Sequence, residues 1–466
     1  MDEAILSETR SVCPECFASI PAWRVARGDN VYLRKTCPEH GLFEAITWRG
    51  LDRYRSWVRP KLPLYPTFPS TRVRMGCPSD CGLCPEHRQH TCTALIEVTQ
   101  RCNLRCSFCF ADAGGDGGVD PPLHQIEDRL NKLRATAGLC NVQLSGGEPT
   151  LRDDLPAIVR SARELGFPFV QVNTNGLRLA RDLPYVEALR EAGLSSVFLQ
   201  FDSVEDSVYR RLRGKDLFHL KQHAIEHCTR NGIGVVLVPT IVPGVNVEQI
   251  GPIIRFALQG LPGIRGVHFQ PVSYFGRFPT PPSDGDRITI PEILVAMENQ
   301  TAGLVRSEHF TPPACENALC SFHGNYVLLA EGELRPWSQR SGSQCGCKPI
   351  PAAEGASQAR RFVAEFWAAP RRPQPSPATS AGGGLGGWDE FLDRVRTHSL
   401  CVSGMAFQDV WNLDLERLKD CCIHVSHPDG RLIPFCAYNL TDCNGRLYYR
   451  SGQPCDSDHR LRTDEP

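Results

Sequence analysis

From residue 93 onward the chain alternates two hydrophobic rhythms. Short apolar runs of strand length are followed by segments in which apolar residues return every three or four positions. Residues 93–99 (TALIEVT) read as a buried strand, then come a helix near 123–137 and a strand at 141–144 (NVQL). The alternation goes on with a helix near 153–165, a strand at 169–173, a helix near 185–192 and a strand at 196–201. A helix near 217–231, a strand at 234–241, a helix near 247–259 and a strand at 267–270 complete it. Six βα repeats of this kind predict an α/β fold with a parallel sheet, curled into a partial (βα)6 barrel.

Beyond residue 310 the pattern stops and cysteines recur instead. Residues 371–387 (RRPQPSPATSAGGGLGG) are too poor in apolar side chains to pack and mark a flexible insertion near 368–388. The expected division is a metal-binding knuckle module over 1–60, a linking cysteine segment over 61–92, the βα core over 93–310 and a Cys-rich C-terminal domain over 311–466.

Composition narrows the setting. A formal charge of -1 over 466 residues gives no reason to expect a nucleic-acid partner. The N-terminal MDEAILSETR is acidic and lacks the apolar stretch of a secretory signal. No run approaches the eighteen or so apolar residues of a membrane span; 233–242 comes nearest and reads as a strand. With 22 cysteines and no export signal, the expected place is a reducing cytoplasm where thiols bind metals rather than pair as disulfides.

The most chemical of these cysteines are Cys102, Cys106 and Cys109 in CNLRCSFCF, at the C-terminal end of the first core strand. Three thiolates can hold three irons of a cubane cluster and leave the fourth without a protein ligand, which is an open position for chemistry. One βα unit later, a strand ends in Ser145-Gly146-Gly147-Glu148-Pro149. Two glycines allow close approach of a backbone to a ligand, and Glu148 offers an acceptor for an ammonium group. A structural zinc site would want a fourth ligand and predicts neither the strand nor the GGEP.

Other constellations are metal-like. Cys13-x2-Cys16 and Cys37-x2-His40 have the spacing of a zinc ribbon or rubredoxin-like knuckle, with histidine favouring zinc over mononuclear iron. Cys77, Cys81 and Cys84 repeat the triplet spacing, with Cys92, His87 or His90 as possible fourth ligand of an auxiliary cluster or a second zinc site. Cys421, Cys422 and Cys436 surround a turn at Pro428-Asp429-Gly430 and are candidates for a second auxiliary cluster. Cys140 and Cys228 fall on core elements and read as small buried hydrophobes.

Together, CNLRCSFCF with the aromatic Phe108, and SGGEPT, resemble the radical S-adenosylmethionine (SAM) superfamily. The resemblance implies a [4Fe-4S] cluster on Cys102, Cys106 and Cys109 that binds SAM through its open iron, with Gly146, Gly147 and Glu148 holding the methionyl end. It also implies reductive cleavage to a 5′-deoxyadenosyl radical, fed by an electron donor such as flavodoxin or ferredoxin. Asn173, Gln200, Asp202 and Thr240, at strand ends, become candidate SAM contacts, although such residues also cap helices.

The ordered series CPEC, CPEHG, GCPSDCGLCPEHRQHTC and LIPFCAYN is similar to the tetraether lipid synthase-like subfamily, with its rubredoxin-like module and one or two auxiliary [4Fe-4S] clusters. That likeness implies carbon–carbon bond formation on a lipid or other hydrophobic substrate, with peripheral membrane contact at most. Phe269, Tyr274, Phe275 and Phe278 would line a tunnel or belong to ordinary core. The alternatives are a radical SAM methyltransferase acting on a pterin-like ring, which needs a methyl or methylene donor, and a non-enzymatic iron-sulfur carrier or zinc module.

Overall fold

The computed structural model describes residues 3–67, 69–114, 118–337, 349–370 and 386–450, with backbone alone at 386–390. Cys345, Cys347, Cys455 and most of the 368–388 insertion lie outside the described residues.

The chain opens with four strands, β1 (Glu3–Val12), β2 (Ser19–Arg27), β3 (Asn30–Cys37) and β4 (Gly41–Arg49), paired in sequence order as an antiparallel meander. The meander does not stand alone. Lys35, fully buried, donates to Val410 O at 2.6 Å and Ser11 Oγ at 3.0 Å, while Thr9 and Arg24 both reach the Asp414 carboxylate. On its other side Arg49 pairs with Glu292 at 2.7 Å, and Trp48 joins the main core together with Trp57, just after α1 (Leu51–Ser56).

A short strand, β5 (Lys61–Leu62), leads into the core. There β6 (Thr93–Thr99), β7 (Asn141–Gly146), β8 (Val170–Thr174), β9 (Ser196–Gln200), β10 (Gly234–Val238) and β12 (Ile264–Pro271) lie side by side in parallel and in sequential order; β11 (Thr240–Ile241) pairs with β12. Every residue of β7 and β10 is buried, as expected for parallel strands covered on both faces. Helices α2 (Leu123–Ala137), α3 (Leu155–Glu164), α4 (Leu183–Glu191), α5 (Asp206–Arg213), α6 (Phe218–Arg230), α7 (Ile250–Gln259) and α8 (Ile290–Gln300) cover the sheet from outside. Helix α2 buries Ile126, Leu130 and Leu133, the i, i+4, i+7 stripe that marked it in the sequence. Cys140 and Cys228 are buried in the same core.

The Cys-rich C-terminal region is not set apart as the expected small domain; it extends the core sheet at both edges. Beyond β12 the order continues through β16 (Ser399–Met405), β13 (Ser321–Leu328) and β14 (Leu334–Pro336). Beyond β6 it continues through β17 (Ile423–Ser426) and β18 (Leu432–Pro434), the hairpin whose turn contains Gly430 at φ 95°. A minor strand, β15 (Ile350–Pro351), pairs with β5, and helices α9 (Ala352–Phe366), α10 (Gly386–Thr397), α11 (Leu415–Lys419) and α12 (Phe435–Tyr438) complete the chain. Strands β13 and β16 escaped the sequence reading because their cavity-facing positions include Ser321, His323, Asn325, Cys401 and Ser403, which break the apolar run of a buried strand. No helix among the described residues is long and apolar enough to cross a membrane.

Candidate functional site

The curved sheet encloses a cavity of about 550 Å³, lined by alternate residues of successive strands. Period-two alternation puts Gln143 and Ser145 of β7, Gln171 and Asn173 of β8, Phe198 and Gln200 of β9, and His268 and Gln270 of β12 on its wall. Cys102, Cys106 and Cys109 close one end.

The loop carrying these cysteines leaves β6 and is fixed by its neighbours' backbones. Cys109 N–H donates to Arg277 O at 2.9 Å and Arg277 N–H returns a bond to Cys109 O at 3.0 Å, while the Arg277 guanidinium donates to Cys106 O at 2.9 Å. Cys102 is half-buried; burial pushes its thiol up to about 12, with Glu148, Cys106 and Cys109 adding negative potential nearby. The three sulfurs are close enough to feel one another but do not gather into a set within 4.8 Å. A cubane spreads its thiolates over three separate irons, so this spread, half-exposed trio suits a [4Fe-4S] cluster better than a single ion. Phe108 packs edge-to-face on Tyr274 with ring centroids 5.9 Å apart and also lines the cavity.

The two glycines of SGGEP line the cavity, and local packing gives a reason for them beside ligand approach. A Cβ on Gly146 would lie 2.1 Å from Thr99 O, and one on Gly147 would lie 2.2 Å from Arg101 O. Their absent side chains let the cysteine loop press onto the end of β7, where Gly147 N–H donates to Thr99 O and Glu148 N–H to Arg101 O, both at 2.8 Å. Glu148 is buried, and its carboxylate accepts from the hydroxyls of Thr150 and Thr174 at 2.6 and 2.7 Å and from Asn175 N–H at 2.6 Å. Its Oε2 has only that last bond and so keeps acceptor capacity on the cavity side.

Strand-end residues divide into two groups. Asn173, Gln200 and Thr240 line the cavity, but Asp202 does not. Asp202 is fully buried in a bidentate pair with Arg213, both contacts 2.8 Å, and takes Thr240 N–H at 3.2 Å and the Gln200 amide as well. Its lone pairs are spent inside the protein, so the direct cofactor contact expected of it is corrected to a supporting role. Arg213 itself lines the cavity beside Cys106. Lys221, also fully buried, donates to Asn175 O at 2.6 Å and Gln200 Oε1 at 2.8 Å; burial pulls its ammonium down to about 7, Asp202 opposing. Sequence reading missed Arg213 and Lys221 because α5 went unrecognised and a charged residue on a helix is ordinarily a solvated one.

Of the metal constellations, the N-terminal one is assembled. Cys13, Cys16, Cys37 and His40 gather within 4.8 Å, with Cys13 and Cys37 Sγ at 3.6 and 3.4 Å from His40 Nδ1, the donor set and compactness of a tetrahedral zinc site. Cys77 lies beside Cys81 and Cys84. Cys92 does not complete that triplet; it converges with Cys315 and Cys422. Of Cys421, Cys422 and Cys436, Cys422 parts from the other two, while Cys421 and Cys436 stay near each other. The side chains of neighbours 421 and 422 diverge at the start of β17: Cys422 goes to Cys92 and Cys315, whereas Cys421 donates to Ile423 O and Cys436 accepts from Gln408 N–H. Of the four aromatic candidates, Phe275 lines the cavity, while Phe269 and Tyr274 are buried in core clusters and Phe278 packs against one.

The far end of the cavity is built by the C-terminal strands and α9. His268 and Trp367 pack against Phe198, the Trp367 ring stacked at 5.6 Å and 24°. Across the floor runs a ladder of amides in which Gln143 Nε2 donates to Gln171 Oε1 at 3.0 Å and Asn173 Oδ1 at 2.8 Å, and Gln171 Nε2 donates to Ser196 Oγ at 3.2 Å. The buried Asn141 Oδ1 has no hydrogen-bond partner among the described residues.

Comparison with known proteins gives a consistent set of likenesses. Residues 96–257 match the Radical SAM superfamily, and residues 5–49 match the HMPTM N-terminal zinc ribbon domain. The chain is 35% identical to the 7,8-dihydro-6-hydroxymethylpterin dimethyltransferase of Methanocaldococcus jannaschii, over 93% of each chain. It is 28% identical to a probable GTP 3',8-cyclase of Archaeoglobus fulgidus, over 52% of this chain and 83% of that one. Among solved structures, Streptococcus suis SuiB shares 17% identity over 46% of this chain and 47% of its own, with a TM-score of 0.39.

Proposed function

Because this chain belongs to the radical SAM superfamily, and through its full-length likeness to the family of the pterin dimethyltransferase, we propose that it is a radical SAM methyltransferase acting on a reduced pterin or a close relative of that ring. The reading that the sequence placed second thus moves to first, and carbon–carbon coupling of lipid chains loses its support.

The observation that carries the proposal is the cavity wall. Tunnels for alkyl chains are lined with aliphatic side chains, because an unsatisfied amide against hydrocarbon costs about 1–3 kcal/mol. Here a band of Gln143, Gln171, Asn173, Gln200, His268 and Gln270 crosses a wall otherwise rich in apolar side chains, among them Phe169, Phe322, Phe362 and the stacked Phe198 and Trp367. Flat rings with donors and acceptors along their edges suit such a surface: aromatic faces take the ring, and amides with both donor and acceptor read its edge.

When bound, a [4Fe-4S] cluster chelating SAM supplies, after one-electron reduction, a 5′-deoxyadenosyl radical that takes hydrogen from an unactivated carbon. Cys102, Cys106 and Cys109 would hold that cluster at the cavity mouth. Glu148 Oε2, anchored by Asn175, would accept from the ammonium of the methionyl end. Asn173, Gln200 and Thr240 would meet the remaining polar groups, with Arg213, Asp202 and Lys221 fixing their positions. Phe108 and Phe275 line the cavity along with the cysteine loop, and their aromatic C–H bonds are too strong to quench an alkyl radical.

The test is anaerobic reaction of the reconstituted enzyme with dithionite, SAM and 6-hydroxymethyl-7,8-dihydropterin. Carbon-13 would be supplied either as methyl-labelled SAM or as a methylene donor. The expected products are 5′-deoxyadenosine and a pterin heavier by one or two labelled methyl groups. In a parallel reaction with an alkyl lipid added, formation of 5′-deoxyadenosine with the pterin unchanged and the lipid consumed would return the lipid reading to first place.

A further inference from the structure

We propose that Cys92, Cys315 and Cys422, with Glu316, form a second mononuclear metal site of zinc type, set in the wall of the same cavity as the radical centre.

Three distant parts of the chain meet there. Cys92 lies just before β6, Cys422 just before β17, and Cys315 in the segment that precedes β13, and all three are buried with their sulfurs mutually within 4.8 Å. Tetrahedral zinc with Zn–S bonds of about 2.3 Å sets its thiolates roughly 3.8 Å apart, whereas a cubane holds them roughly 6 Å apart. The compact set therefore fits one ion. The radical-SAM triplet of the same chain, whose sulfurs are spread, serves as the internal contrast.

Glu316 stands at the edge of the set, near Cys422 but not within 4.8 Å of all three sulfurs. Glu316 Oε2 is 3.6 Å from Cys422 Sγ, and the other carboxylate oxygen takes the Ser321 hydroxyl. The backbone is fixed around the site: Cys92 N–H donates to Cys422 O at 2.8 Å, and Lys61 Nζ bonds Cys315 O and Glu316 O at 2.9 and 2.6 Å. Three thiolates around a divalent ion leave a net negative centre, and Arg360 stands within electrostatic reach of Cys92. Cys92, Cys315, Glu316 and Cys422 all line the cavity, so the fourth position, open to Glu316 by a small side-chain movement, could instead take a ring nitrogen or oxygen of a bound ligand.

Metal and acid-labile sulfide are measured on anaerobically purified protein, for the wild type, Cys13→Ser and Cys315→Ser. Each variant is expected to lose one equivalent of zinc, from the ribbon and from this site respectively, with iron and sulfide unchanged. To guard against misfolding in Cys315→Ser, zinc is exchanged for cobalt in Cys13→Ser/Cys37→Ser protein with its iron clusters in place, where the ribbon keeps a single thiolate and this site supplies three for sulfur-to-cobalt charge-transfer bands. Glu316→Gln in that background is expected to shift the cobalt d–d bands while keeping the charge-transfer intensity. Loss of about four irons and four sulfides in Cys315→Ser would show a cubane instead. Unchanged metal content together with a cobalt spectrum lacking thiolate bands would show mere packing of thiols.

Discussion

Single atoms decide the radical site. A methyl group on Gly147 would sit 2.2 Å from a backbone oxygen, so Gly147→Ala has to push the Arg101 peptide, and with it the cysteine loop, off the end of β7. The expected result is loss of cluster iron and of 5′-deoxyadenosine formation. At Gly285 the nearest atom to an added Cβ is the Ser283 hydroxyl at 3.6 Å, so Gly285→Ala is expected to keep both. Cys106→Ala removes a ligand without disturbing the fold, and iron per chain is expected to fall by about four while zinc in the ribbon is retained. Retention of iron in Cys106→Ala would remove this loop as the cluster's holder.

Elements matter through what they bury together. The end of β9, helix α5 and helix α6 meet around Asp202, Arg213 and Lys221, three charged groups with almost no access to solvent. Breaking a buried pair from one side costs about 3–5 kcal/mol, so Arg213→Met is expected to lower the urea midpoint sharply, and Asp202→Asn in the same chain to restore part of the loss. Lys221 adds a pH signature. Its folded value of about 7 lies below the free value of 10.5, so above pH 7 the unfolded chain binds more protons and stability rises with pH. Between pH 7 and 9 the wild type is expected to gain up to about 1.4 kcal/mol per pH unit from this group, and Lys221→Met to lose that slope. Parallel slopes in the two proteins would show that Lys221 keeps its proton.

For the molecule as a whole, the N-terminal meander, the βα core and the C-terminal strands behave as one body. Lys35, Arg24 and Thr9 tie the meander to residues 410–414, and Trp48 joins the main core. Stripping metal from Cys13, Cys16, Cys37 and His40, by Cys37→Ser or a chelator, is therefore expected to lower the thermal midpoint of the entire protein and shift tryptophan emission to the red. A separate early transition with the main one unmoved would mean that the meander is an independent appendage.

Residue order alone determined the elements whose signal is local: the βα alternation over 93–271, the two motifs of the radical centre and the four-ligand knuckle. Their apolar periods and ligand spacings lie within a single turn, strand or loop, so they are legible without contacts. Tertiary structure decided the rest. It joined the C-terminal strands to both sheet edges, and on β13 and β16 several inward positions are polar because they face a cavity rather than a core. It regrouped Cys92 with Cys315 and Cys422, and spent Asp202 on Arg213. Which partner a thiol or carboxylate meets depends on long-range packing, and identical residue types at similar spacing, such as Cys421 and Cys422, part company once a strand turns one side chain inward and its neighbour the other way.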